Sequence, residues 1–208
     1  MTPFTILTGP AAPVPMANLD TDMIIRVERS AGIPRADLGP FALEAWRFNA
    51  DGTPNPDCAL NRKPYDEARI LVGAENFGCG SARETAVWAL HGLGIRSIIA
   101  PSFGGAFHEN CFENGMLPIR LPAETVAMLQ ALVSRHPLLT VDLQEQQIRG
   151  DGVVIPFPVE PLRRQMLLEG LDPIGLTLSR GSAIAAFQKV DRERRPWLSQ
   201  QTAGQLPS

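Results

Sequence analysis

The chain carries little that could bind a metal ion. Its 208 residues include only three cysteines and three histidines. Cys58, Cys79 and Cys111 stand 21 and 32 residues apart, spacings unlike a zinc or iron–sulfur run, and their odd number argues against a disulfide framework. A reducing, cytoplasmic setting fits this cysteine usage, and His91, His108 and His136 are too scattered to form a metal site. There is no basic excess. Lys plus Arg is 19 against 22 Asp plus Glu, a net charge of −3, which removes nucleic acid from the favoured partners. No apolar run reaches the length of a membrane-spanning helix, and the first residues lack a basic-then-apolar signal pattern. Internal repeats and low-complexity segments are also missing.

What is present suffices for a folded domain. Hydrophobic residues make up 44% and charged residues 20%, enough to bury a core, while 19 prolines and 18 glycines predict many turns and short elements. Phe4 and Ile6 predict a short strand before a Pro-rich loop, and Met23-Ile24-Ile25 reads as an apolar strand behind Asp20-Thr21-Asp22. Residues 26–40 and 51–64, dominated by Gly, Pro, Asn and Asp, read as long loops, expected to be mobile in the isolated chain. From Arg69 onward the pattern sharpens: strands at 69–73, 95–100 and 117–121 alternate with helices at 81–90, 104–115 and 123–133. Ser81, three residues before Glu84, has capping-box spacing for the first of these helices. This order predicts an α/β layer with a parallel βαβ core. Residues 139–143 and 153–157 flank Gly150-Asp151-Gly152 and read as a β-hairpin edge. Helices at 162–169 and 182–195 complete a C-terminal extension, with 1–195 expected as a single domain and 196–208 as a flexible tail.

The chemistry concentrates in Glu75-Asn76-Phe77-Gly78-Cys79-Gly80-Ser81-Ala82-Arg83-Glu84, between a strand's carboxyl end and a helix start, where α/β sheets bind ligands. Gly78 and Gly80 let the backbone turn tightly and approach a ligand. Backbone N–H groups at a helix start face an anion well, and the Arg83 fork matches a carboxylate. A dinucleotide fingerprint would need glycine where Arg83 stands, a phosphate loop would need Gly-Lys-Ser/Thr, and a nucleophile elbow would need glycines flanking the serine. Those three classes are set aside. A bland reading also exists: a tight turn with a capping serine, Asp20 and Asp22 capping a neighbouring turn, and Arg26, Arg29 and Arg35 on a solvated loop.

Asn18-Leu19-Asp20-Thr21-Asp22-Met23-Ile24-Ile25, the Asn76 to Glu84 string, Ile99-Ala100-Pro101-Ser102-Phe103 and Asn114-Gly115-x-Leu117-Pro118 resemble the small subunits of 3-isopropylmalate dehydratase, related to the swivel domain of aconitase. The likeness spans roughly residues 3–195 and includes Trp46-Arg47-Phe48 and the Asp51 to Asp57 stretch. It implies an aconitase-type swivelling β/β/α fold. It also implies a hydro-lyase that isomerises 2- and 3-isopropylmalate through isopropylmaleate in leucine biosynthesis. A [4Fe–4S] cluster is then expected on a large partner subunit, with no cofactor held by this chain. By the same resemblance Ser81 is the base, Arg83 holds a substrate carboxylate, and Asp22 orients a histidine from the partner. Gly80, Ala82, Asp20, Arg26 and Arg29 would line the hydroxy-dicarboxylate. Small subunits of this kind usually read Gly-Ser-Ser-Arg-Glu-His, whereas Ala82 and Thr85 stand here, and residues 26–34 also depart from the usual string. The resemblance therefore leaves two alternatives: a related substrate such as 2-methylmalate (citraconate hydration), or a non-catalytic anion-binding module.

Overall fold

The computed structural model describes residues 1–199; the part of the expected tail at 200–208 lies outside the described residues. Seven strands form one mixed sheet: β1 (Ile6–Pro13), β2 (Ile70–Val72), β3 (Ser97–Ala100), β4 (Leu117–Arg120), β5 (Leu138–Asp142), β6 (Gln147–Gly150) and β7 (Val153–Pro156). Their spatial order is β4-β3-β2-β1-β5-β6-β7. The first four run parallel, with Leu71 beside Ala12 and Ile98, and the remaining pairs are antiparallel. Helices α1 (Thr21–Ile24), α2 (Val27–Ser30) and α3 (Glu44–Arg47) are single turns before β2. Helices α4 (Glu84–Gly92) and α5 (Gly105–Glu113) make the β2–β3 and β3–β4 crossovers, α6 (Ala123–Val133) precedes β5, and α7 (Pro161–Glu169) follows β7.

Alternation along the strands divides the core between the two faces of the sheet. Ala12, Leu71, Ile98 and Ala100 point into one apolar cluster with Phe77, Phe107 and Leu90. Ala11, Ile70, Val72 and Ile99 point into the other, with Leu129, Val133 and Leu167. The central strands are buried on both sides, so they read as continuous apolar runs rather than alternating ones. The functional loops rise from the first face.

Four expectations are corrected. The expected β1 stops before its prolines, yet the strand runs through Pro10 to Pro13. Pro10 presents its missing N–H toward β2 just before that strand begins at Ile70, so no ladder bond is lost. Met23-Ile24-Ile25 is not a strand: Asp20 caps the short helix α1 through its side chain. Residues 26–40 are not one loop but hold α2 and 3-10 turns at 35–37 and 39–41. Residues 139–143 and 153–157 do not pair with each other, because β6 lies between them and pairs with both.

Residues 172–199 belong to a second compact unit, described by itself. It contains α8 (Pro173–Ser179), α9 (Gly181–Arg194) and α10 (Pro196–Ser199). Asp172 caps α8 by accepting from the Gly175 N–H at 2.6 Å, with Pro173 at the first helical position. The sequence pattern marks a single helix in this stretch and leaves α8 unannounced.

Candidate active site

Three segments meet at the carboxyl end of the parallel strands. The Gly78 N–H donates to the Leu19 carbonyl at 2.7 Å, and the Thr21 N–H donates to the Cys79 carbonyl at 2.9 Å. On the other side, the Phe77 N–H donates to the Ser102 carbonyl at 3.0 Å, and the Gly104 N–H to the Phe77 carbonyl at 2.9 Å. Asn76 adds two ties: its N–H to Ser102 Oγ at 2.8 Å and its Nδ2 to Asn18 Oδ1 at 2.8 Å. The glycines are required by geometry. Gly78 has φ +70 and a Cβ there would strike the buried Phe107 ring, while Gly80 has φ +90.

Helix α4 does not begin at Ser81. Its N-cap is Arg83, without a side-chain cap, and the expected capping box does not form. Glu84 instead accepts from Asn114 Nδ2 at 2.8 Å. Ser81 is thereby left on an exposed turn. Its carbonyl accepts from Thr21 Oγ1 at 3.2 Å and from the Arg83 N–H at 2.8 Å. Among the described residues its hydroxyl has no hydrogen-bond partner, and neither do the N–H groups of Gly80, Ser81 and Ala82. Arg83 is mostly buried. One terminal nitrogen, Nη2, pairs with Asp22, and the other, Nη1, is buried with no partner among the described residues. An orphaned guanidinium nitrogen is costly unless a ligand completes it.

Asp22 remains exposed, so its second carboxylate oxygen is open. Asp20 is committed: it accepts from the Met23 N–H at 2.7 Å and caps α1. Asp20→Ala should cost about 1 kcal/mol of stability, as loss of a helix cap does, whereas Asp20→Asn should keep most of it. Urea unfolding of the purified chain checks this; equal losses in both variants would assign the aspartate's effect to its charge.

Arg26 and Arg29 approach the same carboxylate, Glu44, at 3.4 Å and 3.3 Å. The Arg29 guanidinium also lies 4.3 Å above the Phe41 ring. A cavity of about 630 Å³ opens between these arginines and Phe48. A second, of about 410 Å³, joins Arg26 to Asp22. Thr85 meets Ser30 at 3.3 Å between their hydroxyls, tying α2 to the first turn of α4. The expected site residues Asp20, Asp22, Arg26, Arg29, Gly80, Ser81, Ala82 and Arg83 thus occupy one end of the sheet. Glu44 is not among them, because a single Glu after a loop has no motif to mark it.

The thiols do not suit metal chemistry. Cys58 and Cys111 are sealed in the core, and burial pushes both thiols up, Cys111 well above its ordinary value. Among the described residues no group of three His, Cys, Asp or Glu side chains could hold a metal ion, so this chain's residues do not fit an iron–sulfur cluster. His108 packs on Phe103 and Phe112, and its pKa is lowered by burial, then by Arg120 and Arg163, despite Glu109. Among the described residues no helix is long and apolar enough to cross a membrane.

A mixed sheet with a parallel βαβ half, carrying an anion-ready glycine turn against an Asp-Thr-Asp segment, defines a swivel-type domain of the aconitase class. Residues 1–124 match the aconitase C-terminal domain family, and residues 174–201 match the C-terminal domain of 3-isopropylmalate dehydratase small subunits. The 3-isopropylmalate dehydratase small subunit of Parvibaculum lavamentivorans is 49% identical over 95% of this chain and 100% of its own length. That of Paramagnetospirillum magneticum is 50% identical, again over 95% and 100%. A crystal structure of 3-isopropylmalate dehydratase from Methanocaldococcus jannaschii has the same fold, with TM-score 0.62 and 23% identity, covering 87% of this chain and 98% of that one. The chain belongs to the 3-isopropylmalate dehydratase small-subunit family.

Proposed function

We propose that this chain is the small subunit of a cytoplasmic hydro-lyase that interconverts 2- and 3-isopropylmalate by dehydration and rehydration, and that it works only with its large subunit. The observation that carries this reading is Arg83, whose buried Nη1 has no partner among the described residues, on the same exposed turn as the unengaged Ser81 hydroxyl, with its backbone N–H donating to the Ser81 carbonyl at 2.8 Å. A carboxylate arriving at this turn gives Arg83 a second charge-assisted partner once the side chain turns Nη1 out of its buried position. It also meets the free N–H groups of Gly80, Ser81 and Ala82. Held in this way, the substrate turns the carbon next to its carboxylate toward Ser81 Oγ, which as the alkoxide takes the proton and becomes the hydroxyl. An ordinary hydroxyl hardly ionises near neutral pH, so the surrounding N–H donors and Arg83 must stabilise the alkoxide that awaits the proton. Asp22 anchors Arg83 through one oxygen and offers the other to a histidine of the large subunit. Since the thiols of this chain do not fit an iron–sulfur cluster, we assign that cofactor to the large subunit.

The test is reconstitution. The purified chain alone should show no turnover of 2-isopropylmalate, and adding the large subunit should restore it. Equal activity in the two preparations would remove the shared site. Higher turnover of 2-methylmalate than of 2-isopropylmalate by the complex would reassign the substrate within the same chemistry.

A further inference from the structure

We propose that Glu44 is a specificity-determining positioning residue that disfavours substrates with a third carboxylate; the inference rests on the functional reading above. Glu44 opens α3, directly after Leu43, whose left-handed backbone (φ 55) turns the chain back toward the arginines. The Leu43 N–H donates to the Ile24 carbonyl at 2.8 Å, which locks this turn onto α1. The Glu44 side chain is only 14% exposed, while those of Arg26 and Arg29 are 56% and 43% exposed. One shielded carboxylate therefore holds two more exposed guanidiniums.

Both contacts run through Nε. Arg29 Nε lies 3.4 Å and 3.3 Å from the two Glu44 oxygens, and Arg26 Nε lies 3.4 Å from Oε1. The clamp thus uses the inner nitrogen of each fork, and both arginines line the adjoining cavity. Arg26 also borders the cavity containing Asp22, so the clamped pair adjoins the proposed carboxylate site. Two guanidiniums and one carboxylate leave a single net positive charge there. Phe48, Ala45 and Ala50 supply the apolar part of the same cavity's wall, beside Asn49 and the charged cluster. Glu44 lowers the local charge from two to one and repels a carboxylate at the end of a branch, so a third carboxylate gains less here than it would against the two arginines alone. Specificity built from a repulsive element of this sort costs little for the correct ligand and much for the competitor.

The prediction is a gain of binding, which a purely structural role for Glu44 would not produce. Glu44→Gln keeps the side chain's size and removes its charge. Citrate, a hydroxy-tricarboxylate, serves as the probe, titrated calorimetrically into the chain reconstituted with its large subunit. The Glu44→Gln complex should bind citrate at least about tenfold more tightly than the unaltered complex, about 1.4 kcal/mol. Glu44→Asp, which retains the charge, should stay close to the unaltered value, and adding Arg29→Gln to Glu44→Gln should cancel the gain. Citrate affinity within twofold across all four proteins would overturn the proposal. If Glu44→Gln fails to assemble, Glu44→Met, also uncharged and of similar length, takes its place under the same criterion. An unaltered complex that turns over no isopropylmalate sinks the functional reading alone, because citrate binding still reports on the clamp.

Discussion

Replacing Ser81 by alanine should lower turnover of the reconstituted complex by about 10²- to 10⁴-fold, the usual loss when a positioned acid or base is removed. Stability should barely move. Ser81 is exposed and its hydroxyl bonds to nothing among the described residues, so the substitution leaves no buried polar group behind; surface changes of this kind stay within about 0.5 kcal/mol. The backbone role of Ser81 survives, since its carbonyl, not its hydroxyl, receives the Thr21 and Arg83 hydrogen bonds. Substrate affinity should change little because Arg83 and the backbone N–H groups still hold the carboxylate. Single-turnover rates, co-purification of the two subunits and urea unfolding of the small chain separate these effects. A variant that kept more than about a tenth of its turnover would exclude Ser81 as the proton acceptor, since even a modest general base contributes about a hundredfold.

The elements that can be read from the sequence are those in which local and tertiary preferences agree. Helix α6 appears at the expected residues because Pro122 marks its start and Val126, Leu129 and Val133 recur at helical spacing on its buried face. β3 is legible because Ile98 and Ile99 are buried on opposite faces of a central strand. Legibility fails where one residue's contacts decide between alternatives. Met23-Ile24-Ile25 has strand composition, but the Asp20 cap at 2.7 Å draws Met23 and Ile24 into α1, and Ile25 is extended at its end. The Ser81-to-Glu84 spacing has the right residues for a capping box, but Glu84 is drawn to Asn114, thirty residues away in the chain. β6 carries one buried apolar residue, Ile148, too few to announce a strand. Within the site, the loop residues could be proposed from their motif, whereas the Glu44 clamp depends on side chains from separate segments meeting in space. No local pattern encodes such a meeting.

Phe77→Ala should be the most damaging single change to stability in the functional loop, costing about 3–5 kcal/mol, as large aromatic truncations in cores do. Phe77 is fully buried, with ring centroids 5.7 Å from Phe107 and 6.2 Å from Phe103. Its space cannot refill easily. Gly73 packs against the ring, Gly78 against Phe107, and the Phe77 backbone is pinned by Ser102 and Gly104 at both ends, so collapse would have to drag the site loop with it. For a chain of this size 1 kcal/mol corresponds to about 2–4 °C, which sets the expected fall in Tm at about 6–20 °C. Phe77→Leu, which keeps most of the apolar volume, should lose much less. Urea unfolding with an unchanged slope would mark a true stability change. A loss below about 1 kcal/mol for Phe77→Ala would mean that the loop is anchored by its hydrogen bonds rather than by this ring. Set beside Ser81→Ala, the contrast divides the loop by function. Four residues apart, Phe77 should carry stability with the site chemistry intact in whatever fraction stays folded, and Ser81 should carry chemistry with almost no share in stability. A glycine turn between them lets one end of the loop be locked in the core while the other stays open to substrate.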